Sequence, residues 1–184
     1  MQLSNNDSRW GIVAQSFHWL IALLILAAWA THFMHELAPE HSPTAAMWMN
    51  YHKSCGITVF FLFWLRLVWR LSQPAPKPVI VTPWQDRIAR LVHLGLYIVM
   101  IAMPVTGILI TEYGGHPASW FGLFTLPGFV TPDKPSGHLF HFLHTDVFWL
   151  VLLGLVGLHV AAALWHQFVV KDGVLGRMLP WGGK

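Results

Sequence analysis

The sequence predicts an all-α integral membrane protein, a four-helix bundle with both termini in the cytoplasm. Three observations predict it. Of the 184 residues, 55% are hydrophobic and only 10% charged, whereas a soluble domain carries about 25% charged residues. Four apolar runs are each long enough to cross about 30 Å of hydrocarbon as a helix. Nine of the 11 Lys and Arg residues fall on one side of the implied topology, the bias that marks the cytoplasmic face.

The spans follow in order, within a single domain over residues 1–184. The first covers about residues 14–31. Its "ILAAWATH" end offers small residues, but the charged segment before it is thin, so it reads as a retained span and not as a cleaved leader. The second covers about residues 51–70, and Pro74, Pro76 and Pro78 then close it with a short stiff linker. The third covers about residues 88–111 and contains Pro104, a kink that neighbouring helices can accommodate. The fourth covers about residues 139–170. The outer loop 112–137 carries "SWFGLFTLPGF", whose aromatic and leucine content predicts that it lies on the membrane surface.

This topology puts Arg9, Arg66, Arg70, Lys77, Arg87, Arg90, Lys171, Arg177 and Lys184 inside, and Lys53 and Lys134 outside. The net charge of +3 is therefore explained by orientation, and nucleic acid is not an expected partner. The single cysteine, Cys55, permits no internal disulfide and reads as a small packing residue. With no CxxCH, covalent haem attachment is excluded, as are cysteine-based zinc and iron–sulfur centres.

The 12 histidines are the anomaly. An imidazole in hydrocarbon is costly unless something binds it. His52 and His144 fall near the outer ends of spans two and four, and His18 near the inner start of span one. His159 lies fifteen residues beyond His144, about 22 Å deeper and roughly 60° around the helix. The four thus pair by depth, His52 with His144 and His18 with His159. Helix bundles place cofactors between side chains of facing helices in this way. Two axial histidines on a flat macrocycle describe a non-covalent b-type haem, and two such pairs predict two of them. Tetrahedral zinc is the competing metal reading, but the spans lack acidic partners for it.

The remaining histidines read as lesser candidates. His93 is either a helix–helix hydrogen-bonder or a substitute inner ligand. His166 lies on nearly the same face as His159 and is either a plain interfacial residue or a hydrogen-bonder to a propionate or quinone. His32, His35, His41, His116, His138 and His141 are expected to be solvated, with His141 the rival of His144 for the outer site.

Several stretches resemble the bacterial cytochrome b561 family: "SFHWL" (16–20), "HKSCG" (52–56), "LRLVWRL" (65–71), "HLGLYIVMIAMPVTG" (93–107) and "LHVAAALWHQFVVKDGVLGRMLP" (158–180). Together they extend the resemblance over essentially the whole chain. It implies a multi-pass inner-membrane protein with two b haems, ligated from the first, second and fourth spans. That maps onto His18, His52, His144 and His159. One departure stands out: the two fourth-span ligands of the family tend to lie fourteen residues apart, and here they are fifteen apart. A local bulge, or a different outer ligand, would reconcile the two.

The resemblance implies two functional types. In one, the protein is a superoxide oxidase, taking electrons from periplasmic superoxide and reducing membrane ubiquinone, and Lys53 beside His52 would attract the anion. In the other, it is a cytochrome b subunit that accepts electrons from a periplasmic redox protein, such as a dehydrogenase or hydrogenase, docked through loop 112–137. A haem-free membrane scaffold or metal carrier is the third reading, independent of the resemblance. Charge argues against the first type, because Glu36, Glu40, Glu112, Asp133 and Asp146 face only Lys53 and Lys134 on the outer side, the reverse of an anion-steering field.

Overall fold

The computed structural model describes residues 2–77, 79 and 82–181. Pro78 of the expected linker and Lys184 of the expected inner cations lie outside the described residues. Among the described residues, four helices are long and apolar enough to cross a membrane: α1 (Ile12–Leu37), α2 (Pro43–Ser72), α3 (Pro83–Tyr113) and α4 (Lys134–Val170). The all-α, four-span class expected from the sequence is the class observed. Between α3 and α4 lies one short antiparallel hairpin, β1 (Ser119–Trp120) with β2 (Phe124–Thr125), where the sequence predicts only loop.

The helices run past the expected spans because apolar runs mark only the hydrocarbon-facing part, and capping chemistry sets the true ends. Ser42 precedes Pro43 and its hydroxyl accepts the Ala45 N–H at 3.1 Å, a capping residue followed by proline at the first helical position. Gln85 forms one half of a capping box before α3, its Oε1 accepting the Thr82 N–H at 3.1 Å and the Thr82 hydroxyl at 2.7 Å. At the start of α4, Asp133 accepts the Ser136 N–H at 2.9 Å. Hydrogen bonding from Ser136 holds the Asp133 carboxyl below its usual range.

Helix α4 is not uniform. Leu143–Phe148 is π-helical, as is His166–Val170. A π turn holds one more residue than an α turn. The bulge that the fifteen-residue spacing calls for is therefore present, and it begins beside His144.

The chain divides into two compact units, one of residues 1–20, 64–98 and 151–184, the other of residues 21–63 and 99–150. Each long helix contributes to both. The first unit gathers its chain ends by side chain-to-backbone hydrogen bonds. Arg9 donates to the Leu179 carbonyl at 2.8 Å, Trp19 to Met178 at 2.7 Å, and Arg177 to Lys77 at 2.8 Å. Gly11 is obligatory here, because a Cβ would stand 2.2 Å from the Leu3 carbonyl oxygen. The second unit buries Ile21, Ile57, Phe63 and Val99 and fastens the hairpin onto α2. The fully buried Ser54 hydroxyl accepts the Phe121 N–H at 2.8 Å, and the Trp120 indole donates to Thr58 at 3.0 Å. Glu112, expected among the outer charges, is buried and accepts the Phe129 N–H at 3.1 Å. The hydrogen-bonding need of the loop has drawn this carboxylate off the surface.

Candidate functional site

The second unit contains His52 and His144, whose ring centres lie 6.2 Å apart with planes at 87°. His52 Nδ1 lies 2.8 Å from the Ala28 carbonyl of α1. His144 Nδ1 lies 3.0 Å from the Met103 carbonyl and 3.1 Å from the Thr106 hydroxyl, both on α3. A carbonyl only accepts, so Nδ1 carries the hydrogen in both rings and Nε2 keeps its lone pair. That is the tautomer a metal-ligating histidine needs, with its second nitrogen donating to a backbone carbonyl.

The "MPVTG" end of the α3 motif explains the seat of His144. Pro104 cannot donate a backbone hydrogen bond and loosens the ladder around it. Met103 and Thr106 supply the acceptors, and Gly107 leaves the space. A Cβ on Gly107 would stand 3.1 Å from His144 Cε1. His141, the rival, is exposed, and Thr145 donates to its carbonyl at 2.9 Å.

The first unit contains His18 and His159, with ring centres 6.1 Å apart and planes at 62°. His18 Nδ1 is buried and has no hydrogen-bond partner among the described residues. Among the described residues neither ring donates to a carbonyl. Arg66 of α2 lies within electrostatic reach of His18, His93 and His159.

Each pair has a third histidine beside it: His93, read from the sequence as a hydrogen-bonder or a substitute inner ligand, and His32, expected to be solvated. His93 lies 5.6 Å from His159, and His32 lies 5.4 Å from His52. His32 and His35 are half-buried instead of solvated, and His35 Nδ1 donates to the Ala45 carbonyl at 2.9 Å. Helical spacing was the missed signal for His32: its register places it on the His35 side of α1, which packs toward α2. Lys53 is half-buried next to His52. His166 forms a 2.5 Å hydrogen bond to Asp172, just past α4. Burial would raise the Asp172 carboxyl, but the hydrogen bonds from His166 and from the Val174 N–H outweigh it and hold the carboxyl below its usual range.

The pairs fit b-type haem. Imidazole–metal bonds of about 2 Å on each side, plus the offset from nitrogen to ring centre, require roughly 6 Å between ring centres, and both pairs meet that. No cluster of three or more His, Cys, Asp or Glu suited to a metal ion occurs among the described residues.

The profile of the prokaryotic cytochrome b561 family matches residues 9–181. Cytochrome b561 homolog 2 of Escherichia coli K12 is 31% identical over 180 residues, covering 97% of this chain and 95% of that protein. Cytochrome b561 homolog 1 of the same strain is 32% identical over 166 residues, covering 89% and 92%. A probable superoxide oxidase, CybB, of Yersinia pestis is 32% identical over 176 residues, covering 89% and 91%. The family implies b-type haem and electron transfer in a bacterial membrane, which the four apolar helices match. This chain belongs to the prokaryotic cytochrome b561 family.

Proposed function

We propose that the chain is a superoxide:ubiquinone oxidoreductase of the bacterial inner membrane, with both termini in the cytoplasm and two b haems held by His18 with His159 and by His52 with His144. The observation that carries this reading is the pair of facing imidazole couples, 6.1 and 6.2 Å between ring centres. The likeness to a protein named probable superoxide oxidase supports the choice of substrate. Haem, when bound, supplies one-electron transfer. In the overall reaction two superoxide anions each lose one electron and leave as oxygen, and ubiquinone takes up two electrons and two protons.

The chain's own residues have defined tasks in this reading. The Ala28 and Met103 carbonyls fix the tautomers of His52 and His144. Lys53 is the local cation for an incoming anion. Withdrawal of Glu112 from the surface leaves Glu36, Glu40, Asp133 and Asp146 against Lys53 and Lys134, so attraction is local to Lys53 and not a whole-surface field.

The test is an absorption spectrum of the purified oxidised protein under a steady superoxide source. A b-type spectrum that becomes reduced, then reoxidises when ubiquinone is added, is the expected result. A spectrum that ignores superoxide but responds to dithionite would overturn the substrate assignment. It would favour the second reading, a cytochrome b subunit that takes electrons from a periplasmic redox protein. The exposed Phe121, Leu123, Phe124 and Phe129 of the hairpin loop favour that reading.

A further inference from the structure

The hairpin of β1 with β2 is seated beside the uncharged part of α2. Two hydrogen bonds hold it there. The Phe121 N–H donates to the Ser54 hydroxyl at 2.8 Å, and the Trp120 indole donates to the Thr58 hydroxyl at 3.0 Å. From Ser54 to Leu65, α2 carries no charged residue. Lys53 is the last charge before that stretch, and Thr58 lies five residues beyond it, about 7 Å further along the helix. A side chain that reaches Thr58 has passed the level at which charge stops.

Three further features suit that depth. Residues 115–132 contain no Asp, Glu, Lys or Arg. The hairpin also pairs backbone donors internally: the Leu123 N–H bonds the Trp120 carbonyl and the Leu126 N–H the Ala118 carbonyl, each at 2.9 Å. Hydrocarbon requires such pairing, because it holds no water to supply it. Finally, aromatic rings run in a row from α2 onto the hairpin. Trp48 stands 5.9 Å from Tyr51, Tyr51 stands 6.5 Å from Phe121, and Trp120 stands 5.3 Å from both Phe121 and Phe124. Trp and Tyr gather where headgroups meet acyl chains.

Phe121, Leu123 and Phe124 are exposed at the hairpin, Leu123 by 74%. We infer that this hairpin is inserted into the lipid, with these three side chains among the acyl chains just below the headgroups. They extend the surface of α2, whose Tyr51 and Phe61 are exposed as well. A soluble redox protein would need the same side chains clear of the membrane, and their level on α2 argues for lipid instead. Insertion of this kind reaches about 5–10 Å below the interface, which matches the level of Thr58.

The experiment measures depth in the purified holoprotein, reconstituted in vesicles of phosphatidylethanolamine and phosphatidylglycerol. The native cysteine Cys55 is buried and is removed by C55A. A small fluorophore is then attached at L123C, at F61C as the acyl-chain standard, or at E40C, between α1 and α2, as the water standard. Each is quenched in turn by doxyl-labelled lipid and by aqueous iodide, and the ratio of the two reports depth. The L123C ratio should be severalfold above that of E40C and closer to that of F61C. A ratio closer to that of E40C overturns the inference and leaves the surface to a soluble protein partner. If L123C does not fold, F124C is read by the same rule. If neither folds, hydroxyl-radical oxidation of the wild-type chain in the same vesicles decides. Leu123 and Phe124 oxidised as little as Phe61 support insertion, and oxidation as extensive as that of Leu37, exposed at the end of α1, overturns it.

Discussion

The two histidine pairs are built from the same four helices, and they show two ways of tolerating imidazole in an apolar span. In the second unit the chain satisfies each ring from behind. The Ala28 carbonyl holds His52, and Met103 with Thr106 holds His144 in the gap left by Gly107. In the first unit His18 Nδ1 is buried with no such partner among the described residues. Backbone acceptors define ring orientation before any cofactor arrives. A pair without them depends on the cofactor for its order. In the proposed di-haem reading, the second unit is therefore the preorganised site and the first the site completed by its ligand.

The largest effects should come from removing one member of each pair. H144L and H159L should each lose one of the two b haems, read as haem per polypeptide in the pyridine haemochrome assay. H93L and H32L should keep both, because these rings flank a pair without completing it. Retention of both haems in H144L would break the assignment of that pair and return His141 to consideration.

A smaller effect separates the two units by packing alone. G107A places a methyl group 3.1 Å from His144 Cε1, and the Met103 hydrogen bond limits how far that ring can retreat. The overpacking should cost about 1–3 kcal/mol and weaken haem retention in the second unit. G95A places its methyl group 3.0 Å from Leu155 Cδ1, the free end of a flexible side chain. Leu155 can rotate aside, and exchanging glycine for alanine within a helix contributes up to about 1 kcal/mol in the other direction, so G95A should be near neutral in thermal unfolding. Equal losses in the two variants would mean that the His144 seat is not specially constrained.

Much of this was legible in the sequence, and the rest was not, for physical reasons. Apolar length marked the four spans, because hydrocarbon thickness is a one-dimensional requirement. Depth along the helices grouped His18 with His159 and His52 with His144, because rise per residue is nearly constant. Rotation is harder to read. A single π turn at Leu143–Phe148 shifts every later side chain, and nothing in "LHTDVF" announces it. Depth also placed His93 near the inner pair, whereas His32 escaped because its place beside His52 depends on the face of α1 it occupies and not on depth. Glu112 escaped because a carboxylate at a helix end ordinarily reads as solvent-facing, yet the loop supplies the Phe129 N–H that draws it in. The hairpin did have a signal, the glycine within "WFGLF". Its Phe121–Gly122 turn has φ of 49° and 73°, both left-handed, as a tight hairpin turn requires.

The smallest effect compares the two aspartates just outside α4. Asp133 caps the first turn and Asp172 takes the His166 hydrogen bond past the last. Both carboxyls are held below their ordinary value near 3.8. A depressed carboxyl pKa contributes stability that is full above the unfolded value and is lost as pH falls through the folded one. Asparagine is itself a good cap, so D133N should change little. At Asp172 the carboxylate takes hydrogen bonds from a ring nitrogen and a backbone N–H in a largely buried setting, and D172N should cost about 1–2 kcal/mol at neutral pH. Thermal unfolding in detergent should then show the gap between wild type and D172N wide at pH 7 and narrowing below about pH 4. A gap independent of pH would mean that the carboxylate's charge contributes nothing and that Asp172 acts through packing alone.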